Sequence, residues 1–265
     1  MGSGSDWSRV MALTDEEFLA CWHAMGLGDP PAELEVSIPE TIEDAAVEYA
    51  IALDQLYHRG LVDDAGPCAD LEQALRVLAA APVALELKLS DGLIVQGAVD
   101  GEHGALLVVD DAHEPGLFVL PTAGESVPIT MVELVGPLNQ GRVSAVSISA
   151  EVLDTATGGA EDGSWWTVAD RLAEAGVSQA DAQSLALMCS EINSSGQFTA
   201  LARVSDQPGV QLPAEWAVGF HRSGTGDYLK VRRPTPDGPE VTIAPITAEA
   251  LLTQLNDLIA DLPRP

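Results

Sequence analysis

The residue types able to carry catalysis gather at two places. Cys21-Trp22-His23 sets a thiol near an imidazole, and Asp110-Asp111-Ala112-His113-Glu114 collects the donors of a metal or acid–base site. Neither spacing suits the chemistry. On a helix, positions two apart point about 200° away from each other, so Cys21 and His23 cannot share a ligand or a proton. Cys21 reads as core. The second run falls where a hairpin must turn and leads into Pro115-Gly116, so it reads as a solvated turn. An acid-dependent hydrolase using Asp111 and His113 is the enzyme reading that this run leaves. Asp63-Asp64 follows a helix end and reads as loop. No Walker loop, GxGxxG, nucleophile elbow or HExxH occurs, and the histidines are scattered at 23, 58, 103, 113 and 221. The expectation is a protein with no catalytic residues, no metal and no cofactor.

Two other groupings point to binding. Arg203, Arg222, Lys230, Arg232 and Arg233 supply five of the 12 cations of the chain within a short stretch. They read either as cross-strand partners of the abundant acids or as a patch for an acidic or polar partner. Trp216, Val218 and Phe220 fall on one face of a strand, with Arg222 continuing that face, and Phe198, Ala200 and Ala202 repeat the pattern one strand earlier. Sheet core is the plain reading. If helices cover only one face, apolar residues on the other form a docking surface, where Trp, Tyr and Arg are typical anchors. Trp165 and Trp166 are adjacent and cannot both enter one core, which places one of them at a junction or an interface.

These residues need a frame. Thr14–Met25 reads as a helix opened by a capping box of Thr14 and Glu17 and closed by Gly26. A short extended piece follows at Leu34–Ile38. Thr41–Arg59 and Asp70–Ala81 read as further helices from their apolar spacing. Val83–Leu89 alternates with period two, as a half-buried strand does, and Leu93–Val99, Ala105–Val109 and Leu117–Leu120 continue an antiparallel meander. Ile129–Leu138 reads as a short helix and Val143–Ala150 as a strand. Thr155–Gly163 reads as a linker or mobile loop. Ser164–Ala175 and Ser178–Glu191 are helices capped by Ser164 and Ser178. Strands follow at Gln197–Val204, Glu215–Arg222, Asp227–Arg233 and Glu240–Ala244, then a helix at Thr247–Ala260.

Helix, strands, helix runs from about 70 to 138 and again from about 178 to 260. Gly104–Pro121 looks like Ala217–Pro234, and Ile129-Thr130 with Leu134 and Leu138 looks like Ile246-Thr247 with Leu251 and Leu255. The recurrence implies an internal duplication. Residues 1–10 read as a tail, 11–150 as an N-terminal α+β half and 151–265 as a C-terminal α+β half with a helical bundle, in one compact domain.

The 265 residues carry 12 Lys and Arg against 41 Asp and Glu, a formal charge of −29, with 46 % apolar residues. That apolar share fits a folded chain. The charge argues against a nucleic-acid partner and against an anionic membrane surface. No apolar run is long enough to span a membrane, no signal peptide opens the chain, and three scattered cysteines give no disulfide or zinc framework. A cytoplasmic protein is expected.

The order of several short motifs resembles the EspG family. These are Leu13-Thr14-Asp15-Glu16-Glu17-Phe18 with Trp22, Leu27-Gly28 and Pro30-Pro31; Leu85-Glu86-Leu87-Lys88-Leu89; and Ser195-Gly196-Gln197-Phe198 with the small residues after it. Asp227-Tyr228-Leu229-Lys230 and Val241-Thr242-Ile243-Ala244-Pro245 before a last helix complete the set. The resemblance covers roughly 11 to 260, and the Ala/Gly/Asp-rich composition suits an actinobacterial source. It implies a cytosolic chaperone of mycobacterial type VII (ESX) secretion systems, with no catalysis. Such a chaperone binds PE–PPE heterodimers, holds the helical tip of the PPE subunit away from water and delivers the pair to the secretion machinery. It also implies an α+β fold: a central, mostly antiparallel sheet in two pseudo-symmetric halves, flanked by helices, with a C-terminal helical bundle. On this reading the groove is formed by the second strand run and the C-terminal helices. Phe198, Trp216, Val218, Phe220 and Tyr228 are its expected anchors, Arg222 and Lys230 its polar clamps, and Leu185 and Met188 its helical wall. An exposed sheet edge or apolar face permits a homodimer without cargo. The other reading is a sheet-based adaptor or scaffold with no chaperone role.

Overall fold

Thr14 starts the first long helix by the two hydrogen bonds its sequence promises. Its hydroxyl accepts from the Glu17 amide (3.2 Å), and the Glu17 carboxylate accepts from the Thr14 amide (3.0 Å). Glu17 is buried, and Arg59 holds it at 2.7 Å while also donating to the Ala12 carbonyl. In a computed structural model the described residues are 6–31, 34, 42–110, 116–158, 164–204 and 210–263. The extended piece expected at Leu34–Ile38 lies outside them except for Leu34, and so do Asp111 and His113.

Two compact units are present, and the chain passes between them more than once. The first comprises Met1–Glu86, Gly92–Met131 and Arg203–Val210; the second comprises Leu87–Asp91, Val132–Ala202 and Gln211–Pro265. The units therefore part within a helix at 131/132, earlier than the expected boundary at 150.

The first unit contains β1 (Met11–Leu13), α1 (Asp15–Ala24), α2 (Ile42–His58), a small ribbon of β2 (Val62–Asp63) and β3 (Gly66–Pro67), and α3 (Ala69–Ala80). It continues with the start of β4 (Val83–Leu89), then β5 (Ile94–Asp100), β6 (His103–Val109), β7 (Leu117–Ala123) and the start of α4 (Val127–Leu134). Its strand order is β1-β7-β6-β5-β4, and β1·β7, β5·β6 and β6·β7 pair antiparallel. α3 packs on β5, β6 and β7, and its Leu71, Leu75 and Leu78 join Phe18, Trp22, Leu107 and Val119 in one core. On the other face α4 approaches so closely that a Cβ at Gly97 would lie 2.7 Å from Val127 and 2.8 Å from Met131.

The second unit contains β8 (Val146–Ser149), α5 (Ala150–Gly158), α6 (Trp165–Glu174), α7 (Gln179–Cys189), β9 (Ser194–Arg203), β10 (Gln211–Pro213), β11 (Ala217–Ser223), β12 (Gly226–Arg233), β13 (Glu240–Pro245) and α8 (Ala248–Ala260). Its strand order is β9-β11-β12-β13-β8. Ser90 joins beside β9, its amide donating to the Ser195 carbonyl (2.9 Å). α5, α6 and α7 pack together ahead of this strand run, and α8 alone follows it, packing on β11. α5 replaces the first part of the loop expected at Thr155–Gly163, through Gly158. Leu153 and Ala156 are buried one turn apart, and the Thr157 hydroxyl donates to the Leu153 carbonyl (2.9 Å), so a threonine that sequence reading assigns to loop is accommodated in a helix. Residues 159–163 of that stretch lie outside the described residues.

The duplication holds with one change of register. β5, β6 and β7 begin at Ile94, His103 and Leu117; β11, β12 and β13 each begin 123 residues later, at Ala217, Gly226 and Glu240. The first hairpins pair identically: Ile94 opposite Val109 through Asp100 opposite His103, and Ala217 opposite Arg232 through Ser223 opposite Gly226. Gly104–Pro121 therefore corresponds to β12 and β13, one strand later than its look-alike Ala217–Pro234. Short strands with polar Gly turns resemble one another along the whole meander, and pairing register is what separates them.

Gly196, inside the Ser-Gly-Gln-Phe motif, is needed for space: a Cβ there would lie 2.5 Å from the Phe220 ring and 2.6 Å from Leu89. The Gly196→Ala protein is expected to unfold at lower urea, by about 1–3 kcal/mol. An unchanged midpoint would contradict this packing.

Candidate functional site

Register decides which side chains share a face. In the second unit Val218 sits opposite Phe198 and Val231, and Phe220 opposite Gly196 and Leu229. These form one face. His221 sits opposite Tyr228, Gly219 opposite Gln197 and Lys230, and Ala217 opposite Arg232, on the other. Lys230 and Arg232 continue to Ile243 and Val241 on β13.

The first face is core. Phe198, Val218 and Phe220 are buried, with the Phe198 and Phe220 rings 6.1 Å apart. Trp216 is buried as well; its indole N–H donates to Asp261 (3.2 Å), and the Arg233 guanidinium lies 4.2 Å over its ring. Arg233 is itself held by Asp257 (3.0 Å) and Gln254 (3.0 Å) on α8. Arg222 belongs to this face and donates to the Val135 carbonyl (2.6 Å), with Asp227 at 4.0 Å. It ties β11 to Val135, just past α4.

Among the described residues, the second face is covered at one end only. α5, α6 and α7 bury Tyr228, Val241, Ile243, Val146 and Ile148 together with Leu185, Met188 and Cys189. Tyr228 is fully enclosed, its hydroxyl donating to the Thr225 carbonyl (3.2 Å), and a Cβ at Gly141 would collide with its ring. Past that end the face is open. Gln197, Thr199, Ala217, Gly219, Lys230 and Arg232 floor a groove of about 520 Å³, and Pro213, Glu215, the edge of Trp216, Pro234 and Pro239 rim it.

The expected site therefore separates. Phe198, Val218, Phe220, Tyr228, Leu185 and Met188 are corrected from contact residues to core, because burial leaves them no area to offer a partner. Arg222 is corrected by its place on the covered face. Lys230 and the edge of Trp216 line the open groove. Gly219, Gln197, Thr199 and Arg232 were missed as groove residues. Their signal was present in the sequence as the small and polar residues that alternate with Phe198, Val218 and Phe220.

The cations of the basic island are mostly committed locally. Arg232 pairs with Asp154 (3.0 Å), Arg233 with Asp257 (3.0 Å), and Arg203 donates to the Ala79 carbonyl. Lys230 is exposed and has no ion-pair partner among the described residues. Of the adjacent tryptophans, Trp165 packs against the α5–α7 cluster and Trp166 is exposed. Cys21 is core while His23 is exposed and stacks on Tyr49 at 5.3 Å, so the two do not meet. Burial, reinforced by Glu17, pushes the Cys21 thiol up to about 12, and burial does the same for Cys189. Neither offers a thiolate near neutral pH. Among the described residues no three His, Cys, Asp or Glu side chains are grouped to hold a metal ion, and no helix is long and apolar enough to cross a membrane.

Fold and face define a two-unit α+β protein with a sheet face that carries an open groove. The EspG family model matches residues 14–257, and the chain belongs to the EspG family. Among solved structures, the Mycobacterium tuberculosis type VII secretion system chaperone EspG5, determined in complex with a PE25–PPE41 dimer, is similar to it. The likeness covers 96 % of this chain and 97 % of that one, with a TM-score of 0.75 and 14 % identity. At that identity the likeness shows the fold. No curated protein matches the chain in sequence.

His221 joins the open face to α7, its Nε2 lying 2.9 Å from the Met188 carbonyl and its ring stacked on Tyr228. Burial lowers its pKa below 6.5; the Met188 hydrogen bond and Asp227 oppose this, and Lys230 adds to it. The stability of the neutral form is thus present above the unfolded pKa and is lost as pH falls from there through the lower folded pKa. Unfolding midpoints are expected to fall between about pH 7 and 5.5, before most carboxylates titrate, and less steeply in His221→Gln. Equal slopes would remove His221 as the cause.

Proposed function

We propose that this chain is a type VII (ESX) secretion chaperone that binds the helical tip of the PPE subunit of a PE–PPE heterodimer. It keeps the pair soluble and directs it to the secretion machinery. Family membership over residues 14–257 carries this reading, and the complex in which the similar EspG5 chain was determined supports it. The open sheet face of the second unit supplies a place for the tip. Its floor of Ala217, Gly219 and Thr199 lets a helix backbone come close, and its rim of Pro213, Pro234 and Trp216 is apolar.

The energetics suit capture without chemistry. Covering the apolar tip of a helical hairpin gains about 25 cal/mol per Å², and an interface of ~1,600 Å² is enough for a stable complex. The protein acts by binding, in the cytoplasm, and its net charge of −29 disfavours nucleic acid as a partner.

Co-expression with PE–PPE pairs, read by size-exclusion chromatography with light scattering, tests this. A one-to-one-to-one complex is expected, weakened about tenfold or more by Gly219→Trp, which fills the groove. Phe220→Ala, a core change, is expected to lower the unfolding midpoint instead, by about 3–5 kcal/mol. Failure to bind pairs from any ESX system would favour the scaffold reading.

A further inference from the structure

α2 is apolar on two opposite sides. On the inner side Ala52 and Leu56 are buried, and Tyr49 and Leu53 are half-buried against the core of the first unit. With about 100° between successive helix residues, Val47 and Ile51 point the other way. They are 60 % and 55 % exposed, more than any other large apolar side chain among the described residues. Ala46 and Ala50 beside them are exposed as well. α1 and β2 supply the main packing of this helix. Neither usual reason for an apolar helix residue applies at Val47 and Ile51. Burial does not hold them. Propensity does not favour them, because β-branched side chains are poorer helix formers than the Ala, Lys or Glu that suits a solvent-facing position. A single exposed apolar residue needs no explanation. Here Val47 and Ile51 stand on successive turns with Ala50 between them, and they form a continuous strip.

We propose that the outer face of α2 is a docking surface for an amphipathic helix of a protein partner, one whose apolar stripe is flanked by Lys or Arg. The inference rests on the first unit alone and does not depend on the chaperone reading. The charged borders of the strip are acidic. Glu48 is exposed beside it, and Asp54 closes it one turn past Ile51, 3.6 Å from His58. Arg59, the next cation along the chain, is turned to buried Glu17. Cations flanking the partner's stripe would therefore meet carboxylates while its apolar side chains cover Val47 and Ile51. The small side chains of Ala46 and Ala50 let that helix pack close. A second copy of this chain is a poor occupant. Two α2 helices paired antiparallel about Ile51 would set Glu48 of each opposite Asp54 of the other, and a parallel pair would set each acid beside its own counterpart. Each copy also carries a formal charge of −29.

The test uses the full chain and a labelled synthetic helix of Leu and Lys with its leucines on one face, with binding read by fluorescence anisotropy at physiological salt. A peptide of the same composition in scrambled order and a Leu/Glu helix serve for comparison. The double variant Val47→Ser with Ile51→Ser changes no charge. It is expected to weaken binding of the Leu/Lys helix about tenfold or more. Its unfolding midpoint is expected to stay close to that of the wild type, since both side chains face solvent. Glu48→Gln with Asp54→Asn is expected to weaken binding by less, and the scrambled and Leu/Glu peptides are expected to bind more weakly than the Leu/Lys helix. If the serine variant binds the Leu/Lys helix as the wild type does, attraction to the net charge explains the binding and the surface is overturned. If the Leu/Glu helix binds as tightly as the Leu/Lys helix, the basic partner is overturned. If the wild type binds no Leu/Lys helix, the proposal fails outright. If light scattering shows a wild-type dimer that the serine variant dissolves, a second copy is the occupant and the proposed partner is overturned.

Discussion

The second unit depends on the pairing of β11 with β12. An antiparallel pair fixes opposite residues on one side of the sheet, so Phe220 with Leu229 and Val218 with Val231 turn one way, and Gly219 with Lys230 and Ala217 with Arg232 turn the other. A slip of one residue would send Val218 and Phe220 into water and bury Lys230. Glycines keep the arrangement tight: Gly196 leaves room for Phe220 and Leu89, and Gly141 leaves room for Tyr228. One face is thereby committed to packing and the other is left with small and polar residues.

With few cations, the chain spends most of them on its own architecture. Arg59 neutralises buried Glu17 and reaches the Ala12 carbonyl; Arg9 holds Asp70 at 2.6 Å; Arg233 ties Trp216 to α8. Breaking a pair such as Arg59–Glu17 leaves a buried charge without a partner, which costs about 3–5 kcal/mol. Exposed pairs such as Arg232–Asp154 contribute far less.

The two units repeat one arrangement, and a single element makes them differ. Both units use helix, strands and helix in the same order, and both close one sheet face with the helix that follows the strands. They differ in the helix that precedes them. α3 carries a leucine stripe that fits the apolar outer face of β5 and β6, whereas α7 presents Leu185, Ala186 and Met188 to α5, α6 and the β13 side. The same hairpin becomes internal core in one unit and an open surface in the other.

Local chemistry made much of this legible in the sequence. The Thr14–Glu17 capping box, the alternation of Val83–Leu89, the Ser164 and Ser178 caps and the recurring element order each rest on residues within a few positions of one another. The Ser195–Phe198 motif and its companions were enough to point to the family. The site was only half legible. Alternation showed that Trp216, Val218 and Phe220 share a face and that Gln197, Thr199 and Gly219 share the opposite one, but not which face a helix would cover. It also could not show that Tyr228 and Arg222 turn opposite ways, because that follows from the pairing of two strands. Burial depends on where α7 and α8 come to rest, which is set by packing between residues far apart in the chain. That packing made the aromatic residues core and the small, polar ones surface.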